Sequence, residues 1–261
     1  MNNSFNDVKI VLSDGCVFAN SFVLSSASDY FATMLSSDTF EEGQTHEVIM
    51  EDYVSKEAME RVVHYIYCGD MDMKQIGFER LLEILNISKM LLLKTDSLFN
   101  SLEAHIVFII SKTTILEKLF RGFILVERYC LDSLRKHIVK QIYTSIPSYA
   151  WNIIRYASSS ATLQQFKFEM IKEILLYEYD PADPTVRKGR APSSKKRLRF
   201  FQVWYDGNKD CRAEEKKMIL DSINLDEFTG EQLLTVVKES GLFSDKEIDK
   251  KCIEKFRKTD Q

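Results

Sequence analysis

Apolar residues alternate with polar ones at the start of the chain and then settle into a three-to-four-residue rhythm that runs almost to its end. Val8, Ile10 and Leu12 alternate with Lys9 and Val11, the period of two expected of a strand buried mainly on one face. Asp14-Gly15 has the chemistry of a tight turn, because glycine tolerates positive φ, and Cys16-Val17-Phe18-Ala19 returns as a second strand. A helical pattern from Ser21 to about Leu35 is broken near Ala27-Ser28, and His46-Glu47-Val48-Ile49-Met50 reads as a third strand. Ser55 is placed to cap a helix over Lys56 to Tyr67, whose Met59, Val62, Val63 and Ile66 share one side and which stops at Gly69.

From residue 77 onward the rhythm is helical. Phe78, Leu81, Leu82, Leu85 and Ile87 predict one helix, and Leu98, Leu102, Ile106 and Ile109 a second. Thr113-Thr114 followed by Glu117 has the spacing of a capping box and opens a helix through Leu125 and Tyr129. Leu131 to Tyr143 continues as a helix that Pro147 is expected to end, with another begun over Tyr149 to Ala157. Phe166, Met170, Ile174 and Leu175 mark a long helix ending near Tyr179. Residues 180–199 interrupt the pattern: three of the four prolines fall there and no apolar face exists, which predicts a flexible insertion. Periodicity resumes at Phe200-Phe201 and Trp204 and continues through Met218-Ile219-Leu220, Leu233-Leu234 and Ile248, with Thr229 and Gln232 spaced as a second capping box. The fold class is α+β. A small three-stranded sheet flanked by helices occupies residues 1–110, and an all-helical region covers 111–261, with its basic insertion at 180–199.

Composition adds limits to this picture. At 45% hydrophobic and 28% charged residues the chain has a globular balance, and nine glycines and four prolines suit a helical protein. A net charge of −4 makes no whole-chain case for binding nucleic acid, yet it conceals a run of seven bases: Arg187, Lys188, Arg190, Lys195, Lys196, Arg197 and Arg199. That run reads either as a nuclear-import or anion-binding patch, whose charge phosphorylation of Ser193 or Ser194 would lower, or as a solvated loop between helices. The five cysteines lie far apart with no CxxC spacing, and the N-terminus lacks the pattern of a secretion signal, so reduced, mostly buried thiols in a cytoplasmic or nuclear protein are expected. Ile84 to Leu93, the most apolar stretch, is interrupted by Asn86, Ser88 and Lys89 and is too short to span a bilayer.

Candidate chemistry is sparse. His46, His64, His105 and His137 read as isolated residues, so no zinc site is expected, and Cys68 reads as a structural thiol. Tyr65, Tyr67 and the Phe200-Phe201-Trp204 group read as core aromatics rather than stacking platforms. Neither a P-loop nor GxGxxG, GxSxG or HExxH occurs, and the expectation is a protein without catalytic residues, metal or cofactor.

Several of these residues together resemble the BTB/POZ domain: the Asp7-Val8 strand start, the hairpin to Phe18-Ala19, Val23-Leu24-Ser25 leading to Ser28, Tyr30 and Phe31, and Tyr65-Ile66-Tyr67 before Gly69. The resemblance covers about residues 5 to 110. The helices beyond it resemble the BACK domain that follows BTB in cullin-3 adaptors, through Phe123 to Leu134, Phe201 to Trp204, Met218 to Leu220 and Leu233-Leu234. This resemblance implies a substrate-recruiting subunit of a cullin-3 ubiquitin ligase, acting by proximity. The alternative is a BTB scaffold or transcription-associated protein that works through homo- or hetero-association alone. Family adaptors carry a hydrophobic-x-Glu motif before the third strand, and Phe40-Glu41-Glu42 matches it, so Phe40 and Glu42 are implied to contact the cullin; Phe123 and Tyr129 would lie along the groove that receives its tail. The opposing reading packs Phe40 back on its own domain. Two departures from the family stand out. Asn20-Ser21 replaces the usual His-Arg or His-Lys, removing the base that pairs with the acid at Asp7, and only six residues precede Asp7 where dimeric members carry a helix. A dimer is therefore expected to be weakened, absent or built on another surface. No kelch or MATH receptor is recognisable, which leaves the substrate protein unassigned.

Overall fold

Lys9, Ile10 and Val11 sit in the middle of a three-stranded sheet. In a computed structural model that describes residues 6–36, 40–50, 54–113, 115–149, 157–177 and 192–259, β1 (Val8–Leu12) pairs antiparallel with β2 (Gly15–Ala19), Val8 opposite Ala19 and Leu12 opposite Gly15. Between β2 and the third strand run α1 (Ser21–Ala27), α2 (Asp29–Met34) and α3 (Glu41–Thr45). The third strand, β3 (Glu47–Ile49), then pairs parallel with β1, so the sheet order is β2-β1-β3. Alternation decides the faces: Val8, Ile10, Leu12, Val17, Ala19 and Val48 are buried, whereas Phe18 and Ile49 point outward beside the Lys9–Glu47 ion pair.

The predicted break between α1 and α2 is present, and Ser28 causes it. Its backbone is extended, and its buried hydroxyl accepts from Phe31 N at 3.1 Å to cap α2 while donating to the Leu91 carbonyl. Backbone bonds flank this contact, from Asp29 N to Leu92 O (3.1 Å) and from Lys94 N to Ala27 O (2.9 Å). Ser55 caps α4 (Lys56–Cys68) as expected, helped by Asp14 of the hairpin turn, which accepts from Lys56 N at 2.8 Å. Gly69, at φ +73°, closes that helix by donating its N–H to Tyr65 O at 2.7 Å. Beyond it α4 packs on α5 (Phe78–Met90), and α5 on α6 (Ser97–Lys112). The buried stripe of α6 is Leu98, Leu102, Ile106 and Ile110; Ile109, predicted for it, is only half-buried because the stripe keeps a strict four-residue step.

The remaining helices are α7 (Leu116–Arg128), α8 (Asp132–Tyr149), α9 (Ala157–Gln164), α10 (Phe168–Leu175), α11 (Ser194–Gly207), α12 (Ala213–Asp221), α13 (Gly230–Gln232), which runs on into a π-helical stretch over Leu233–Val237, and α14 (Asp245–Thr259). Contacts divide the chain into two units, Met1–Lys112 with Leu125–Leu134, and Thr113–Ile124 with Arg135–Gln261. The second unit is organised around aromatic rings. Phe120 and Phe123 meet Phe166 edge-on at 5.2 and 5.6 Å, and Trp204 stacks on Phe201 and donates its indole N–H to Phe166 O at 2.8 Å. Phe200, Phe201 and Trp204 are thus core, as expected.

Four sequence expectations need correction here. Pro147 does not end α8, which continues to Tyr149; so near a C-terminus a proline removes a bond from the last turn without abolishing the helix. The helix predicted over Phe166 to Tyr179 is shorter, α10, with Phe166 in the core before it. Residues 194–199 are not loop but the opening turns of α11, because Leu198 already belongs to its buried face. Only Cys252 is a buried thiol, while Cys16 and Cys211 are half-buried and Cys68 and Cys130 exposed; all five are free. The capping box at Thr229 and Gln232 has both of its bonds, each 3.2 Å, whereas Thr114 and residues 150–156 lie outside the described residues.

Ser28→Ala removes a cap and leaves the Leu91 carbonyl without its buried donor. A loss of about 3 kcal/mol of unfolding free energy is expected in urea titrations. Ser26→Ala, on the exposed side of α1, should change it by less than about 0.5 kcal/mol. Equal effects from the two variants would show that Ser28 does not hold the break.

Candidate protein-interaction site

Phe40 stands at the N-cap of α3 and offers no cap hydrogen bond of its own; the residue is 37% exposed. Glu41 and Glu42 form the first turn behind it. Glu41 is exposed, while Glu42 is half-buried. Burial pushes the Tyr30 phenol above its ordinary pKa, and the negative charge of Glu42 pushes it further. The turn is anchored rather than free. His46, in the left-handed region at φ 56°, closes α3 by donating its N–H to Glu42 O, and its carbonyl accepts from Lys9 N, both at 2.9 Å. An apolar ring is therefore presented from a short helix fixed to the central strand.

Of the other residues implied to contact a cullin, Phe123 belongs to the second unit and Tyr129 to the first. Phe123 is fully buried within the second unit, packed on Phe166 and covered by the Arg135 guanidinium 5.5 Å from its ring centre. It has no surface to offer a partner, which corrects its assignment as a groove residue. Tyr129 belongs to the first unit and is half-buried; burial raises its phenol, Glu83 adds to the rise, and Arg128 and Arg80 oppose it. Beside it Cys130 adopts φ 52°, and its carbonyl accepts from Lys89 Nζ at 3.1 Å.

The basic run is not one patch. Arg187, Lys188 and Arg190 lie outside the described residues. Lys195, Lys196, Arg197 and Arg199 occupy the first turns of α11, where the helix dipole disfavours positive charge; Glu227 offsets this by accepting from Ser194 N at 2.8 Å. Arg197 points inward as a tie, donating from Nη2 to Leu175 O at 2.7 Å and to Ser222 Oγ at 2.9 Å. Of the four only Arg199 is exposed.

At the other end of the sheet, the position that lacks a base has been rebuilt. Ser21 donates to both oxygens of Asp7, its N–H to Oδ1 at 2.7 Å and its hydroxyl to Oδ2 at 2.6 Å. Asn20 caps α1 by accepting from Val23 N at 3.1 Å, and its own N–H donates to the Tyr67 hydroxyl at 2.7 Å. Tyr65 likewise bonds Ser97 Oγ at 2.7 Å, so neither tyrosine is the plain core residue expected. Near this clasp the outer face carries exposed apolar groups, Phe22 at 80% and Phe18 at 47%.

One pairing visible in the sequence was passed over. His64 and Cys68 are one helical turn apart on α4, and the imidazole Nε2 is 3.6 Å from the thiol. Among the described residues no group of three His, Cys, Asp or Glu is placed to hold a metal ion, and no helix is long and apolar enough to cross a membrane.

The family model of the BTB/POZ domain matches residues 1–107. Residues 1–107 are accordingly a BTB/POZ domain, a module whose work is binding other proteins, and a helical region follows it. No curated protein matches the chain.

The clasp makes a pH prediction. Desolvation raises the Asp7 pKa, but the hydrogen bonds from Ser21 outweigh it and the net shift is downward. A carboxylate with a folded-state pKa below its unfolded value contributes stability above about pH 4 and loses it as pH falls through the folded value. Wild-type protein should thus lose more unfolding free energy between about pH 5 and pH 2.5 than Asp7→Asn, measured by denaturant titration. Parallel pH profiles for the two proteins would contradict the clasp.

Proposed function

We propose that the chain is a non-enzymatic adaptor that docks cullin-3 through the Phe40 turn and holds a target protein near the ubiquitin ligase. The observation that carries this reading is the exposed Phe40 ring on a short helix anchored to β1, with carboxylates directly behind it. A partly exposed aromatic on a rigid support suits a binding hot spot, because little conformational entropy remains to be lost on docking. Catalysis here is by proximity: the adaptor raises the local concentration of target lysines and takes no part in bond making. With Phe123 committed to the core, the docking surface narrows to the Phe40 turn. The helices of the second unit are then read as a BACK-type region, and the target protein would bind outside the Phe40 turn.

A second reading is favoured by a different observation. Phe18, Phe22 and Ile49 leave exposed apolar surface on the first unit, which suits association with another BTB domain without ligase duty.

Titration calorimetry of the full chain against cullin-3 separates the two. Phe40→Ala should weaken binding by about 2 kcal/mol, near thirtyfold in Kd, with an unchanged far-UV spectrum. Glu42→Ala should cost less, because Glu42 is already half-buried in the unbound chain. Undiminished cullin binding by Phe40→Ala overturns the site; absent binding by wild type, together with a concentration-dependent rise in mass that Phe22→Glu abolishes, supports the scaffold reading instead.

A further inference from the structure

The C-terminal end of α4 carries a pair of donors that the interaction site does not use. His64 and Cys68 are both exposed, one turn apart, with Nε2 and Sγ separated by 3.6 Å. Gly69 ends the helix immediately after Cys68 and turns the chain back, so that Asp70 and Asp72 join Glu57, Glu60 and His64 in lining an open cleft of about 480 Å³. Arg61 is the one base on that lining, and it is already paired with Glu57 at 3.2 Å.

We propose that His64 and Cys68 bind a borderline-soft divalent cation of the Zn²⁺ type, with water completing its coordination. The spacing is the first reason. Metal–nitrogen and metal–sulfur bonds of about 2.05 and 2.3 Å at a tetrahedral angle place the two donor atoms about 3.6 Å apart. The separation present in the protein therefore needs no rearrangement of the helix to accept the ion. Donor chemistry is the second reason: imidazole with thiolate selects zinc-like ions and disfavours magnesium or calcium, which prefer all-oxygen sites.

Local charge is the third reason: the cleft that His64 lines also carries Glu57, Glu60, Asp70 and Asp72, which draw in a cation. Binding displaces the thiol proton, one proton leaving for each metal bound. Without metal, a thiol–imidazole hydrogen bond occupies the same geometry. Among the described residues no third His, Cys, Asp or Glu closes the set, so water would fill the remaining positions.

The test is a Cd²⁺ titration of the reduced full-length chain, read by thiolate-to-metal charge-transfer absorbance in the ultraviolet. One equivalent of Cys68-dependent absorbance is expected per chain, and Zn²⁺ should compete it away. Cys68→Ser should abolish that component, and His64→Ala should weaken its affinity at least tenfold. Cys130→Ser, removing the other exposed thiol, should leave it intact. Because both donors are exposed, the variants should keep the wild-type far-UV spectrum. Absorbance that survives Cys68→Ser, or an affinity unmoved by His64→Ala, overturns the proposal, the second by reducing the site to a single thiol.

Discussion

Parallel pairing between β1 and β3 is the constraint on which the first unit rests. A parallel neighbour cannot be reached through a tight turn; the chain must cross over, and here it does so through α1, α2 and α3. That crossover returns to β1 through the left-handed His46, whose carbonyl accepts from Lys9, and continues as Met50 N donates to Val11 O. The Phe40 turn is the last part of the crossover before the strand begins. Its position follows from sheet topology, which leaves Phe40 partly in solvent.

The crossover is held a second time at Ser28. A fully buried hydroxyl serving as both cap and donor ties α2 to the segment after α5, and the backbone bonds on either side continue the tie. Tyr30 and Phe31 follow directly, and Phe31 enters the core. The Ser28 tie therefore pins the middle of the crossover and sheet pairing its second end, near which lie the residues proposed to meet a partner. The Asp7–Ser21 clasp secures the first end with neutral donors in place of a base, so this corner of the domain is satisfied internally and holds no unpaired acid waiting for a basic partner.

What was legible in the sequence and what was not follows physical lines. The strands could be read because Val8, Ile10 and Leu12 face one way and Asp14-Gly15 can only turn; α4 could be read because Ser55 and Gly69 are local punctuation. The Phe40 turn was legible only through the resemblance, since an aromatic before two glutamates means nothing by itself. Phe123 misled because amphipathicity shows that a helix face is buried, not whether its own unit or a partner buries it. The start of α11 was hidden because lysine and arginine are good helix formers whose charge was read as solvation, and because Arg197 works through distant Leu175 and Ser222. The long-range duties of Ser28 left no trace in a local pattern. His64 and Cys68, by contrast, were readable at their four-residue spacing and needed only the geometry to give them meaning.

The two activities proposed for the first unit occupy different segments of it, docking on the crossover and cation binding at the close of α4, and neither requires the other. Hydrogen exchange on the full chain, with and without cullin-3, tests the central one most directly. Slowed exchange over residues 40–46 on adding cullin-3, with the amides after Ser28 unchanged, is the predicted footprint. Bound cullin-3 that leaves residues 40–46 exchanging as before, while protecting another surface, would contradict it.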